Sequence, residues 1–377
     1  MIELAGITWD HPRGYAPLEA STERYLKQAD VHVNWHRRTL KDFGDVSVEE
    51  LAVNYDLLII DHPHMGTVNN SGCLVDLNDY LAESQLALYR AESVGPSFIS
   101  YNYQGKQYAL PIDAACQTAA YRPDLLNHTL LPTTWQDVLG LSDFVKARKQ
   151  FIATALCPTD CNCIFLTLAA QTGNPVAQNS SELISVKAGI EVLHLIRAIK
   201  NASHPDSVNW NPIKLYNHMA SSNDIVYSPL AFAYINYTVA DCGGKQLKYA
   251  HIPGKTHSVL GGAGIAVSSN SKHIAEAATY LQWICHPQYQ STCYVAEGGQ
   301  PGQLSAWTAK QDNTYSEYFF SPILPTIASA YVRPQVPLWP KFQELVGDLI
   351  HEYLVEDGPA DIVVRKLNSD YRKIFNG

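Results

Sequence analysis

No stretch of the sequence approaches the roughly 18 apolar residues that a helix needs to cross a bilayer. Lysine and arginine form no run, and across 377 residues 36 acidic side chains outweigh 27 basic ones, for a formal charge of -9. Phosphate-backbone binding needs a clustered cationic surface, so nucleic acid is excluded as a partner and a membrane-spanning role with it. The amino terminus lacks the basic, apolar and small-residue segments of a secretory signal. As written, the chain is expected to be cytoplasmic; it would be periplasmic if a leader had been trimmed ahead of Met1. Internal repeats and low-complexity linkers are also missing. Eight cysteines (Cys73, Cys116, Cys157, Cys161, Cys163, Cys242, Cys285, Cys293) are too few for a disulfide scaffold. The Cys157–Cys163 run (CPTDCNC) has C-x3-C-x-C spacing, which matches none of the common zinc patterns. Structural thiols are the expectation there, with no metal and no cofactor.

What is present is a chain with 46% hydrophobic residues, long enough for two lobes. Up to about residue 110 it alternates strand and helix in the manner of βαβ units. Strands are expected at Ile2–Ile7, Val31–Trp35 and Asp56–Ile60, with helices at Leu18–Gln28 and Ser47–Asn54. Two polar loops leave the first and third strands: Trp9-Asp10-His11-Pro12-Arg13-Gly14 and Asp61-His62-Pro63-His64. Open α/β sheets place ligand-binding groups at such strand ends. Further on, Gly105 turns a hairpin, an extended crossing follows, and Pro123-Asp124 offers a helix start. Thr134 with Asp137 reads as a helix N-cap. Apolar spacing predicts helices at Ile184–Lys200, Ile274–Cys285, Trp339–Tyr353 and Asp361–Phe375. The Gly261–Gly264 run (GGAG) lacks the Lys-Ser/Thr of a phosphate-binding loop, so it reads as a hinge or tight turn.

Four blocks in order resemble the extracellular solute-binding proteins of ABC importers, in the group with maltose-type binders. They are Tyr108–Asp113 (YALPID) leading into Ala120–Leu126 (AYRPDLL), Pro132–Trp135 (PTTW), Gly261–Ile284 with Gly298–Gly302 (GGQPG), and the two C-terminal helices. The opening ITWDHPRGY and the DHPH loop look like a narrower branch of that family. The resemblance implies a two-lobed α/β fold of the type II periplasmic-binding kind, with a ligand enclosed by hinge closure. By analogy one lobe would hold residues 1–112 plus 262–312 and the other 113–261 plus 313–377. A monomer serving an ABC permease is expected if the chain is exported.

In the first lobe, Trp9, Asp10, His11, Arg13, Asp61, His62 and His64 are the candidate ligand-binding residues. Arg13 carries a planar fork suited to an anionic group, or it holds its own loop through backbone carbonyls. His11, Asp61, His62 and His64 resemble a metal set, or they hydrogen-bond a ligand, or they are structural. The second lobe and the crossings would supply Asp113, Tyr227, Tyr234, Asn236, Gly261 and Gly262, with Tyr237 close by. Tyrosine offers a flat apolar face with a polar tip, suited to small polar or cyclic ligands. Under the alternative reading the chain is a cytoplasmic enzyme or sensor, and Cys116 is a nucleophile. Its spacing from Pro111, one residue longer, looks similar to the Pro-x-x-x-Cys arrangement of thiaminase I, a catalytic relative of this fold, but the activating carboxylate of that enzyme has no clear match, Asn236 putting an amide near there.

Overall fold

The computed structural model describes residues 1–239, 244–309 and 315–375. Cys242 and the expected lobe boundary at residues 312 and 313 lie outside them. Strand β1 (Ile2–Trp9) is followed by helix α1 (Pro12–Ala29), strand β2 (Val31–Arg38), and helices α2 (Leu40–Asp45) and α3 (Val48–Asn54). Strand β3 (Leu57–Ile60) is buried at every position, as its unbroken Leu-Leu-Ile-Ile run requires of a strand covered on both faces. A hairpin of β4 (Asn102–Tyr103) and β5 (Lys106–Gln107) turns at Gln104-Gly105. The twelve-residue β6 (Leu110–Tyr121) follows and is buried throughout.

The second half opens with α4 (Trp135–Lys146), whose Thr134 and Asp137 form a reciprocal capping box as expected. It continues through β7 (Phe151–Ile152), α5 (Pro158–Gln171), α6 (Val186–Ala202), α7 (Pro212–Ser221) and β8 (Ile225–Phe232). Then come β9 (Lys248–Ala250), β10 (Leu260–Val267), α8 (Ile274–Ile284), α9 (Trp339–Glu356) and α10 (Ala360–Phe375). Pro123-Asp124 starts no helix. Arg122 instead holds Asp124 in a turn, with Nε 2.8 Å from the carboxylate.

Among the described residues the main sheet runs β2-β1-β3-β10-β6-β8-β7, with β9 on the flank of β6. Strand β6 belongs to both halves of the molecule. Its Leu110–Cys116 stretch pairs with β10, and its Gln117–Tyr121 stretch pairs with β8 and β9. The halves have separate apolar cores. One gathers Leu4, Leu57, Ile59, Ile265 and Leu281; another gathers Phe165, Leu193, Trp339, Phe342 and Leu367. Trp307 packs on Phe319 and Phe320 in a third cluster, together with Met219 and Tyr249 of the second half.

The GGAG run does not make a turn before a strand, because all four residues lie inside β10. Gly262 alone among them has a positive φ, +99°; it pairs with Ala114, just ahead of the register shift between Ala263 and Gly264. A Cβ there would sit 2.4 Å from the Asp113 carbonyl oxygen. Gly262→Ala is therefore expected to destabilise the fold by about 1–3 kcal/mol or more, read as a lower urea midpoint. An unchanged midpoint would show that the crossing strands tolerate the side chain.

Candidate functional site

Helix α1 begins at Pro12, six residues before the expected start at Leu18, so Arg13 stands in its first turn and not in a loop. His11 is the N-cap and accepts the Arg13 N–H through Nδ1 at 3.1 Å, while Pro12 at N1 has no N–H to leave unsatisfied. Gly14 allows the Trp9 indole to lie against the helix start, since a Cβ there would meet the ring at 2.4 Å. These local choices aim Arg13 inward, where it is 4% exposed.

Its guanidinium closes on Asp113 of β6. Nε donates to Oδ2 at 2.8 Å and Nη2 donates to Oδ1, while Nη1 donates to the Ala233 carbonyl at 2.9 Å. The group lies 4.6 Å above the Tyr234 ring, and His11 meets the same ring edge-on at 4.7 Å. Burial works against the Arg13 charge, but Asp113 outweighs it and holds the guanidinium firmly protonated. Arg13 is thus committed to a carboxylate of the protein itself, and the expected anion receptor carries no free charge.

A second pair faces the same space. Asp61 caps the turn His62–His64 by accepting the His62 N–H at 2.9 Å, and both its oxygens lie 2.6 Å from Nη2 of Arg333. Burial opposes the charge of Asp61; Arg333 and His62 overcome it and hold the carboxyl well below the usual range. The Arg333 N–H donates to Nε2 of His62 at 3.3 Å, and Gln335 donates to the carbonyls of His62 and Ser100. His62 is consequently buried in the join between this loop and the 333–335 segment, and His64 is buried as well. His11, Asp61, His62 and His64 do not gather their ligand atoms at one point, so no metal set forms there.

Between the halves lies a cavity of about 160 Å³. Trp9, Arg13, Asp61, Asp113, Tyr234, Gly261 and Gly262 all line it, so seven of the expected residues meet there. The others do not reach it. Asp10 is exposed and faces Arg37 at 3.6 Å. His11, His62 and His64 stand behind the lining residues, absent from the cavity wall itself. Tyr227 belongs to an apolar cluster with Tyr121 and Val138 of α4. Asn236 donates to the Gly298 carbonyl at 3.4 Å, and the Tyr237 hydroxyl donates to Asn217 at 2.8 Å. Cys116 is fully buried, on the face of β6 opposite the lining residues Asp113 and Ala115. Burial pushes its thiol far up, so it is held protonated, the wrong state for a nucleophile.

The cavity also takes side chains that local patterns in the sequence did not single out. Phe43 comes from α2, Phe232 from the end of β8, and Gln343 and Glu344 from α9. The CPTDCNC run supplies Thr159, Asp160, Asn162 and Cys163, because Pro158 starts α5 with its first turn at the cavity. A proline at N1 after an extended segment was the one signal available for these four. Burial pushes Asp160 up to about 7, against a 3.1 Å bond from the Cys157 thiol. Four lining residues, Trp9, Asn162, Arg333 and Gln343, carry buried polar atoms with no partner in the protein: Nε1, Oδ1, Nε and Oε1 respectively.

A cavity lined by paired charges and aromatic rings, between two α/β lobes that share crossing strands, defines a binding protein of the periplasmic type. The chain belongs to the bacterial extracellular solute-binding protein family, whose model matches residues 21–317. Solved structures agree on the fold. An ABC transporter solute-binding protein of Thermotoga lettingae, bound to α-D-tagatose, superposes with TM-score 0.85 at 16% identity over 100% of both chains. One from Agrobacterium radiobacter, in complex with ribitol, gives 0.83 at 17% over 99% of each. Maltose-bound MalE3 of T. maritima gives 0.85 at 15% over 99% of this chain and 100% of its own. No curated protein matches the chain. Among the described residues no helix is long and apolar enough to cross a membrane.

Removing one member of a buried ion pair leaves its partner uncompensated. Asp113→Asn is expected to cost about 3–5 kcal/mol in urea unfolding; a loss below ~1 kcal/mol would mean that Arg13 finds other acceptors. Burial and then Arg333 hold His62 down to about 4, against an ordinary 6.5. Between those pH values the unfolded chain binds the proton and the folded one does not, so the His62 contribution falls as pH drops. The stability gap between wild type and His62→Gln should therefore narrow from pH 6.5 to 4. A gap constant across that range would show that His62 titrates normally.

Proposed function

We propose that this chain captures a small uncharged polyhydroxy molecule, a sugar or polyol, between its two lobes and presents it to an ABC permease outside the cytoplasm. The observation that carries this reading is the charge and hydrogen-bond balance of the cavity. Its two arginines are each closed on an aspartate of the chain, which leaves no fixed cation for an anion to meet. The unpartnered atoms of Trp9, Asn162, Arg333 and Gln343 offer a mixture of donors and acceptors. Hydroxyl groups, each both donor and acceptor, satisfy such a mixture. The rings of Trp9, Phe43, Phe232 and Tyr234 supply apolar faces for the C–H surface of the same molecule.

The volume fits that class. At about 160 Å³ the cavity has room for on the order of ten water-sized groups, the scale of a monosaccharide or a short oligosaccharide. Known ligands of the structural neighbours, tagatose, ribitol and maltose, are of this kind. The lobes are taken as residues 1–112 plus 262–312 and 113–261 plus 313–377, closing as a monomer about β6 and β10.

Calorimetric titration with D-tagatose, ribitol and maltose, beside glucose 6-phosphate and glucuronate, tests the reading. At least one neutral compound should bind, and Asn162→Ala should weaken it by about 1–3 kcal/mol. Binding of the charged compounds alone would overturn it.

A further inference from the structure

Away from the cavity, three side chains from separate elements converge at the opposite end of β8. His204 follows α6, His218 lies in the last turn of α7, and Asp224 immediately precedes β8. The strand rises about 3.3 Å per residue, so Asp224 stands roughly 25 Å from Phe232 at the cavity end. We propose that His204, His218 and Asp224 bind a divalent transition-metal ion, zinc in particular.

The donor set is two imidazoles and a carboxylate, the usual company of zinc, whereas calcium and magnesium take mainly oxygen ligands. The three donor atoms lie within 4.8 Å of one another, and no other such trio of His, Cys, Asp or Glu occurs among the described residues. Ligands 2.0–2.1 Å from a tetrahedral ion stand about 3.3 Å apart. Nε2 of His218 is 3.0 and 3.1 Å from the two Asp224 oxygens, and Nε2 of His204 is 3.8 Å from the nearer one. The last separation is too long for a hydrogen bond, so His204 is not there to tie Asp224 directly. It is close to the spacing of two ligands on one ion.

The surroundings are built to hold these groups. Trp210 stacks on His204 at 5.0 Å and 13°, and meets His218 at 4.8 Å, so both rings are fixed from one side. The Ser222 hydroxyl donates to the Asp224 carboxylate. Nδ1 of His204 accepts a long 3.2 Å bond from the N–H of Asp206. Ligation through Nε2 puts the ring proton on Nδ1, and the exposed Asp206 side chain, whose carboxylate lies 4.0 Å away, reaches it by a small rotation. A carboxylate behind a ligating histidine is the common second shell of zinc sites. The backbone N–H it leaves is on an exposed residue and turns to water.

The test uses the full chain stripped with EDTA and titrated with Zn²⁺ alone by calorimetry. One ion per chain should bind, and His204→Gln and Asp224→Asn should each weaken binding by more than about tenfold. Absent stoichiometric binding, or binding equally tight in both variants, overturns the site. Co²⁺ added to the wild-type chain provides a readout that needs no variant. Intense visible bands of a four-coordinate ion are expected, and weak six-coordinate bands or none would refute it.

Discussion

The buried pair of Arg13 and Asp113 is the interaction on which the rest of this molecule depends. It joins the first turn of α1 to the strand common to both lobes, and its third bond reaches the Ala233 carbonyl just past β8. A cation at a helix N-terminus opposes the helix dipole, and desolvation opposes both charges. Two bonds to one carboxylate, a third to a carbonyl and the face of Tyr234 offset those costs. Because the arrangement only works as a set, it fixes where β1, β6 and the end of β8 stand relative to one another.

Arg333 and Asp61 repeat the device on the other side of the cavity. This pair binds the end of β3 to the segment between Tyr331 and α9, which also pairs with β10 through the Leu260 N–H and the Tyr331 carbonyl at 2.8 Å. His62 is the mortar of that join, and its neutrality follows from being enclosed beside a fixed cation. The two pairs together line one cavity with both arginine charges cancelled internally. Neither arginine of the lining is left as an open cation, and unpartnered polar atoms stand there beside the aromatic rings.

Much of the architecture was legible from local pattern. The all-apolar β3, the Thr134–Asp137 cap and the spacing in α6, α8, α9 and α10 follow from physics that acts within a few residues. Apolar spacing alone starts helix α1 at Leu18, whereas Pro12 at N1 behind a histidine N-cap is the signal for its true start. Likewise GGAG suggested a turn, whereas in β10 the glycines permit close strand approach, most plainly at Gly262 against Asp113.

The sequence by itself determined the alternation of strand and helix, the lack of a Lys/Arg run or of an apolar segment long enough for a membrane-crossing helix, and the polar strand ends near which Trp9, Arg13 and Asp61 stand. Those depend on composition and on interactions between residues close along the chain. Only the tertiary structure decided what Arg13 does, since its partner is 100 residues away and no local pattern distinguishes a free guanidinium from a paired one. The same holds for Arg333, 272 residues from Asp61, and for the trio at His204, His218 and Asp224, which the packing of α6 and α7 on the sheet brings together. Charge balance and ligand geometry are properties of distance in space, and the order of residues in a chain fixes that distance only once the whole fold has closed.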